Sequence, residues 1–126
     1  MKVTILGAGA WGTALGLVLS RNGHPVRLWG HRAEHVAELS RTRVNERFLP
    51  GIPLSGDWVF ETSLDAALAG AEVVVVAVPS KGFREVAARL AGFRGPVVSV
   101  TKGIEFATPS TLALRASVMI WWLAGL

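Results

Sequence analysis

Apolar and polar positions fall along the chain in blocks whose period switches between that of a strand and that of a helix. Residues 2–6 (Lys-Val-Thr-Ile-Leu) are a short, β-branched apolar run stopped by Gly7, which predicts a buried strand. Residues 11–22 read as a helix that stops at Asn22-Gly23. Pro25 opens a second strand over residues 26–29, and a polar helix is expected over residues 33–42. Residues 43–57 hold Pro50, Gly51, Pro53 and Gly56, which predicts mostly loop. A third strand is expected at Trp58-Val59-Phe60. Thr62-Ser63-Leu64-Asp65 has capping-box spacing and opens a short helix to Leu68. Residues 73–78 (Val-Val-Val-Val-Ala-Val) are apolar on both faces, as a central strand of a parallel sheet must be. A helix over residues 81–91 and a strand over 96–100 complete the pattern.

Alternation of this kind predicts an α/β fold, a doubly wound parallel sheet of the Rossmann type. Its ligand crevice would lie at the carboxyl ends of the first and fourth strands. No repeat, linker or low-complexity tract interrupts it. The one compositional break falls near residue 107, after which only Arg115 is charged. Residues 1–106 are therefore expected to form the folded domain and residues 107–126 an apolar tail. Leu112, Ala116, Met119, Ile120 and Leu123 share a face at helical spacing, which admits a helix there.

Composition narrows the class. The 126 residues suffice for one domain with a real core, and 51% are hydrophobic before the 14 glycines are counted. Ordinary globular chains reach roughly 45–50% with glycine included, so disorder is excluded. The absence of cysteine excludes a disulfide framework and a Cys-based metal site, and no metal is expected. Gln is absent, Asn occurs only at positions 22 and 45, and Arg outnumbers Lys by 10 to 3, a composition compatible with a heat-adapted source. Two apolar stretches mimic membrane signals. Gly7, Gly9, Gly12 and Gly16 weaken the first as a targeting helix, and residues 118–126 fall short of the roughly 20 needed to span a bilayer. No transmembrane segment and a cytoplasmic location are expected.

The net charge of +4 is uneven, with Arg21, Arg27, Arg32, Arg41, Arg43 and Arg47 set against only Glu34, Glu38 and Glu46. A basic stretch fits nucleic acid, an acidic membrane surface, a phosphorylated small ligand, or simply a solvated helix face. No helix-turn-helix, zinc-finger or RNP pattern accompanies it, so nucleic acid is not expected as a partner.

Gly7-Ala8-Gly9-Ala10-Trp11-Gly12 is G-x-G-x-x-G, immediately after a predicted strand and at the opening of a helix. The context, rather than the pattern alone, points to dinucleotide binding. Gly7 would let the chain turn off the strand, Gly9 would let a pyrophosphate approach the backbone, and Gly12 would let helix and strand pack closely. Gly16 would extend that packing by a turn. The residues after the second strand are Trp29, Gly30, His31 and Arg32, with no carboxylate before Glu34. A carboxylate there binds the ribose 2′-hydroxyl of NAD, whereas Arg32 is suited to a 2′-phosphate, with His31 as a second donor or an adenine-stacking ring. NADP is favoured and NAD remains possible; a solvated Arg32 is the plain alternative. Trp11 occupies a variable position of the motif and would be a platform beside the cofactor phosphates or a plug against a neighbouring domain. Trp29 and Trp58 are expected to serve packing. Ser80 would cap a helix or touch the cofactor, and Lys102, followed by Gly103, would hold a substrate phosphate or polarise a carbonyl.

Five segments together resemble the N-terminal domain of bacterial NAD(P)-dependent glycerol-3-phosphate dehydrogenases. They are residues 7–15 (Gly-Ala-Gly-Ala-Trp-Gly-Thr-Ala-Leu), residues 28–31 (Leu-Trp-Gly-His), Asn45 with Phe48-Leu49-Pro50, Val78-Pro79-Ser80, and residues 101–105 (Thr-Lys-Gly-Ile-Glu). The resemblance covers about residues 1–106. It implies reversible hydride transfer between NADPH and dihydroxyacetone phosphate, forming sn-glycerol 3-phosphate for phospholipid synthesis. Carried over by motif, Ala10, Trp11, His31, Arg32 and Phe48 would line the cofactor site, and Lys102 would lie between cofactor and substrate. The family places its catalytic lysine in a helical second domain, which this chain lacks, so the isolated chain is expected to be inactive. Residues 107–126 depart from the family's polar amphipathic continuation and read as a shifted frame, an altered terminus or a truncation. Exposed apolar surface on an unpartnered domain would favour a homo-oligomer. A dehydrogenase of the same plan acting on another substrate, and a non-catalytic dinucleotide-binding module, are the competing readings.

Overall fold

The computed structural model describes residues 1–100, apart from the side chain of Ser80, and the backbone of residues 119–122. The predicted alternation is present: β1 (Val3–Leu6), α1 (Ala10–Arg21), β2 (Val26–Trp29) and α2 (Ala33–Thr42). These are followed by β3 (Val44–Asn45), β4 (Leu49–Pro53), β5 (Val59–Glu61) and α3 (Leu64–Leu68). Then come β6 (Val73–Val76), α4 (Ser80–Arg89), β7 (Pro96–Ser99) and β8 (Met119–Trp122).

The main sheet runs in the order β5-β2-β1-β6-β7-β8, with its first five strands parallel. The chain winds outward from β1 through β2 to β5, then crosses to the other side for β6 and β7. The reversal lies between β1 and β6, where such sheets open a crevice at their carboxyl ends.

Side chains alternate across this sheet as a period of two requires. Val3, Ile5, Val26, Leu28 and Val75 join a core with Leu39 of α2, Leu54 and Trp58, against which Leu15 and Leu19 of α1 pack. Leu6, Val74, Val76 and Val97 face the other way, onto Leu64 and Ala67 of α3 and Val86 of α4. Helices thus cover both faces, which is why β6 is apolar throughout. Two polar groups on the second face are paired: the buried Thr4 hydroxyl donates to the Ala67 carbonyl at 2.7 Å. The Arg27 guanidinium donates to the carbonyls of Ala66, Ala67 and Ala69 at 2.8, 3.1 and 2.6 Å, closing the C-terminal end of α3. At the other end of α3 the N-cap is Ser63, one residue later than capping-box spacing places it, its hydroxyl accepting from the Ala66 N–H at 3.3 Å.

One local expectation gains detail and two are corrected. Residues 43–57 are more than half turn and coil, as expected, but within them β3 and β4 pair antiparallel as a small separate ribbon, with a register shift between Val44 and Asn45. A two-stranded ribbon is all edge, so Pro50 and Pro53 break no ladder that a larger sheet would need. Ser80 is the first residue of α4, and Pro79 holds the N-cap position assigned to Ser80. In the tail, Met119–Trp122 is a strand antiparallel to β7, so the helix admitted there does not hold for these four residues. Ile and Trp favour strands, and β7 would otherwise present an open ladder edge. The rest of the tail lies outside the described residues.

Gly16 shows how tightly α1 seats on the sheet. A Cβ there would stand 2.5 Å from Cη2 of the buried Trp58 ring and 3.2 Å from Cδ1 of Ile5. Gly16→Ala is expected to cost about 1–3 kcal/mol in urea unfolding, by overpacking. Combined with Trp58→Leu it should cost less than the two single losses summed, because the two sites share one space.

Candidate functional site

A cavity of about 730 Å³ opens at the carboxyl ends of β1, β2 and β6, within the roughly 300–1,000 Å³ usual for small-molecule sites. The glycine loop forms its floor. Gly7 has φ +128°, and a Cβ on it would overlap the Ala77 carbonyl that follows β6. Gly12 faces away from the cavity, and a Cβ there would overlap the Gly7 carbonyl oxygen while lying 3.3 Å from Cγ2 of Ile5. Gly9 differs: its φ of −83° suits any residue, and nothing lies within 4 Å of where its Cβ would be. Gly7 and Gly12 are therefore needed for the fold, whereas Gly9 leaves space in the cavity open. Gly9 is also the N-cap of α1 and gives no side-chain cap, so the first N–H groups of a twelve-residue helix remain available at the cavity floor.

Ala8, Ala10 and Trp11 continue the lining, with Trp11 57% exposed beside the opening. Trp29, Gly30, His31 and Arg32 line the side below β2. Trp29 also packs against the second core, as expected, its indole N–H donating to the Thr62 carbonyl at 2.9 Å. Phe48, 42% exposed, lines the cavity from the turn of the β3–β4 ribbon. Each of Gly7, Gly9, Ala10, Trp11, His31, Arg32 and Phe48 thus lines one cavity, and Gly12 supports it from behind. Lys102 lies outside the described residues.

Sequence reading did not place His35 and Arg47 at this wall. His35 lies in the first turn of α2, four positions after His31, and Arg47 was one of six arginines in a basic stretch with nothing to single it out. The described lining carries four ionisable side chains, His31, Arg32, His35 and Arg47, and no carboxylate. All four sit toward β2, α2 and the ribbon turn. Toward β6 and β7 the described lining is Ala77, Val78, Pro79 and Val100. The described lining therefore has a basic end and an apolar end.

Asn45 holds the two walls together. It is 1% exposed, and its Nδ2 donates to the Ala8 carbonyl at 3.0 Å and to the Thr13 hydroxyl at 2.8 Å. Thr13, fully buried, passes its own proton to the Gly9 carbonyl at 2.7 Å. A carbonyl only accepts, which fixes the amide nitrogen on that side and leaves Oδ1 facing His35 Nε2 at 2.9 Å; His35 Nε2 must then carry a hydrogen. The His35 ring meets Phe48 edge to face, with centroids 5.4 Å apart. One buried amide thus ties the glycine loop, α1, α2 and the ribbon turn into a single support.

The family model described as the N-terminus of NAD-dependent glycerol-3-phosphate dehydrogenase matches residues 2–119. Among curated relatives, the glycerol-3-phosphate dehydrogenase [NAD(P)+] of Halorhodospira halophila is 51% identical over 104 residues, covering 82% of this chain and 31% of that protein. The enzyme of the same name from Geobacillus kaustophilus is 47% identical over 127 residues, covering 98% of this chain and 37% of that protein. The chain thus spans about a third of the length of the curated relatives it matches. The crystal structure of glycerol-3-phosphate dehydrogenase from Coxiella burnetii superposes with a TM-score of 0.78 at 38% identity, covering 84% of this chain and 34% of that one.

Asn45→Ala is expected to lower stability by about 1–3 kcal/mol, since it strands buried polar groups on both sides. Asn45→Asp should lose more, because neither variant offers a donor to the Ala8 carbonyl and the carboxylate also buries a negative charge against that oxygen. Denaturant titrations of the two variants beside the parent chain check the order.

Proposed function

This chain belongs to the NAD-dependent glycerol-3-phosphate dehydrogenase N-terminal family, and on that premise we propose that it is the nucleotide-binding part of an enzyme reducing dihydroxyacetone phosphate to sn-glycerol 3-phosphate with NADPH. The observation that carries the reading is the open space at Gly9 over the uncapped start of α1. A pyrophosphate there meets backbone N–H groups and a helix N-terminus with no side chain between. Trp11 forms a platform at the rim. Arg32 and His31 meet the adenosine 2′-phosphate below β2, where no carboxylate lines the cavity to repel it or to hold a free 2′-hydroxyl. Phe48, edge-on to His35, continues the lining from the ribbon turn.

When bound, the dinucleotide supplies the hydride that the ketone carbon takes up, and a proton must reach the ketone oxygen. The described residues at the apolar end offer no proton donor, so this part of the chain binds and orients. Lys102 between cofactor and substrate belongs to the reading on the strength of the family motif alone. NAD(H) remains the second cofactor to test. A cytoplasmic setting and a place in phospholipid synthesis go with the proposal, and no helix among the described residues is long and apolar enough to cross a membrane.

Calorimetry of the 126-residue chain should give saturable NADPH binding. Gly9→Val is expected to stay folded, given the free space around its Cβ, losing no more than about 1 kcal/mol as a poorer N-cap, yet to bind NADPH about tenfold or more weakly. Equal binding by the parent and Gly9→Val would remove the pyrophosphate from this floor. In an assay of NADPH oxidation with dihydroxyacetone phosphate, the chain alone should show no turnover; activity would mean that a proton donor lies within it.

A further inference from the structure

Arg47 lines the main cavity and also a smaller one of about 410 Å³, whose other lining residues are Arg32, Ala33, Glu34, His35 and Glu38. Arg32, His35 and Arg47 are the residues common to both, so they mark the place where the two cavities meet. Glu34 and Glu38 lie on the smaller side only, which makes that side hostile to an anion and leaves the shared rim as the place an anion would settle. The Arg47 guanidinium is held near this rim, its Cζ 5.4 Å from the centroid of Phe48. Phe48 is in turn braced by His35 and, through it, by Asn45.

We propose that Arg47 is a second cation for the adenosine 2′-phosphate, acting with Arg32 at the junction of the two cavities, so that the turn of the β3–β4 ribbon helps set the preference for NADP(H) over NAD(H). The inference rests on the dinucleotide reading above and adds a residue from a different element of the fold. A phosphate near its second ionisation carries more charge than one guanidinium neutralises, and a planar fork on either side would offer it paired donors. An unphosphorylated ribose gains nothing from the second fork. Arg47 therefore discriminates between the cofactors and leaves their common part alone.

The test is the affinity of the 126-residue chain, as parent, Arg47→Ala, Arg47→Lys and Arg32→Ala, for NADPH, NADH and 2′,5′-ADP, read by calorimetry with thermal melts as a folding control. Arg47→Ala is expected to weaken NADPH and 2′,5′-ADP about tenfold and leave NADH within about twofold, with Arg47→Lys in between. Equal weakening of NADPH and NADH would overturn the proposal, because Arg47 would then serve only to hold Phe48. A parent preference for NADPH that survives in Arg47→Ala but is lost in Arg32→Ala would overturn it while leaving the wider cofactor reading intact. A parent chain that binds NADPH and NADH alike would overturn both the 2′-phosphate contact and this inference.

Discussion

The structure turns on the absence of side chains where β1 hands over to α1. At that point the strand end is bonded on both sides, with Ala77 N–H donating to the Leu6 carbonyl at 2.8 Å and Gly7 N–H donating to the Trp29 carbonyl at 2.9 Å. Leaving the sheet there requires a positive φ at Gly7 against the Ala77 backbone, and bringing α1 back requires Gly12 against the Gly7 carbonyl. The helix start is thereby held by covalent geometry and sheet hydrogen bonds rather than by a loop. A site built on such a start is in place before any ligand arrives, and little ordering entropy is left for binding to overcome.

The opposite wall has no such claim on the sheet. It consists of a helix N-terminus and a small proline-bearing ribbon, and it depends on the buried amide of Asn45 for its position. The basic stretch divides along the same line. Arg27 is spent on the carbonyls that end α3, and Arg43 donates to the Trp58 carbonyl at 2.7 Å with its Cζ 5.0 Å from the centroid of Phe60. Guanidinium groups that would be costly to bury unpaired are thus matched to backbone acceptors. Arg32 and Arg47 remain at the cavity. A run that looks uniform in charge contains two structural cations and two that face the site.

This division explains what was legible in the sequence. The elements of the sheet follow from local patterns, because parallel strands buried on both faces and helices with one apolar face leave strong periodic marks, and the crevice follows from the doubly wound plan those elements imply. Gly7, Gly9 and Gly12 were legible as a motif, though not the distinction that Gly9 alone fronts open space. The ribbon was hidden because Pro50, Pro53 and Gly51 are turn signals wherever tertiary context is unknown. Arg47 and His35 were hidden for another reason. Their place depends on Asn45 reaching Ala8 across 37 positions of the chain, and no local pattern encodes a contact of that length.

The two ends of the cavity also decide how a dinucleotide would lie in it. Such a molecule is heavily charged at its phosphorylated adenosine end and through its pyrophosphate, and nearly uncharged at its far ring. The cavity repeats that order, from His31, Arg32, His35 and Arg47, across the helix start, to Ala77, Val78, Pro79 and Val100. Turned around, the molecule would press a phosphate against the described aliphatic side chains and leave the cations unmatched, and both changes raise the free energy. The orientation thus needs no steric gate. The same order bears on where the chemistry would be completed: among the described residues the far ring would rest on Ala77, Val78, Pro79 and Val100, whose side chains hold it without exchanging protons, so the acid for the ketone oxygen is to be sought outside the described lining.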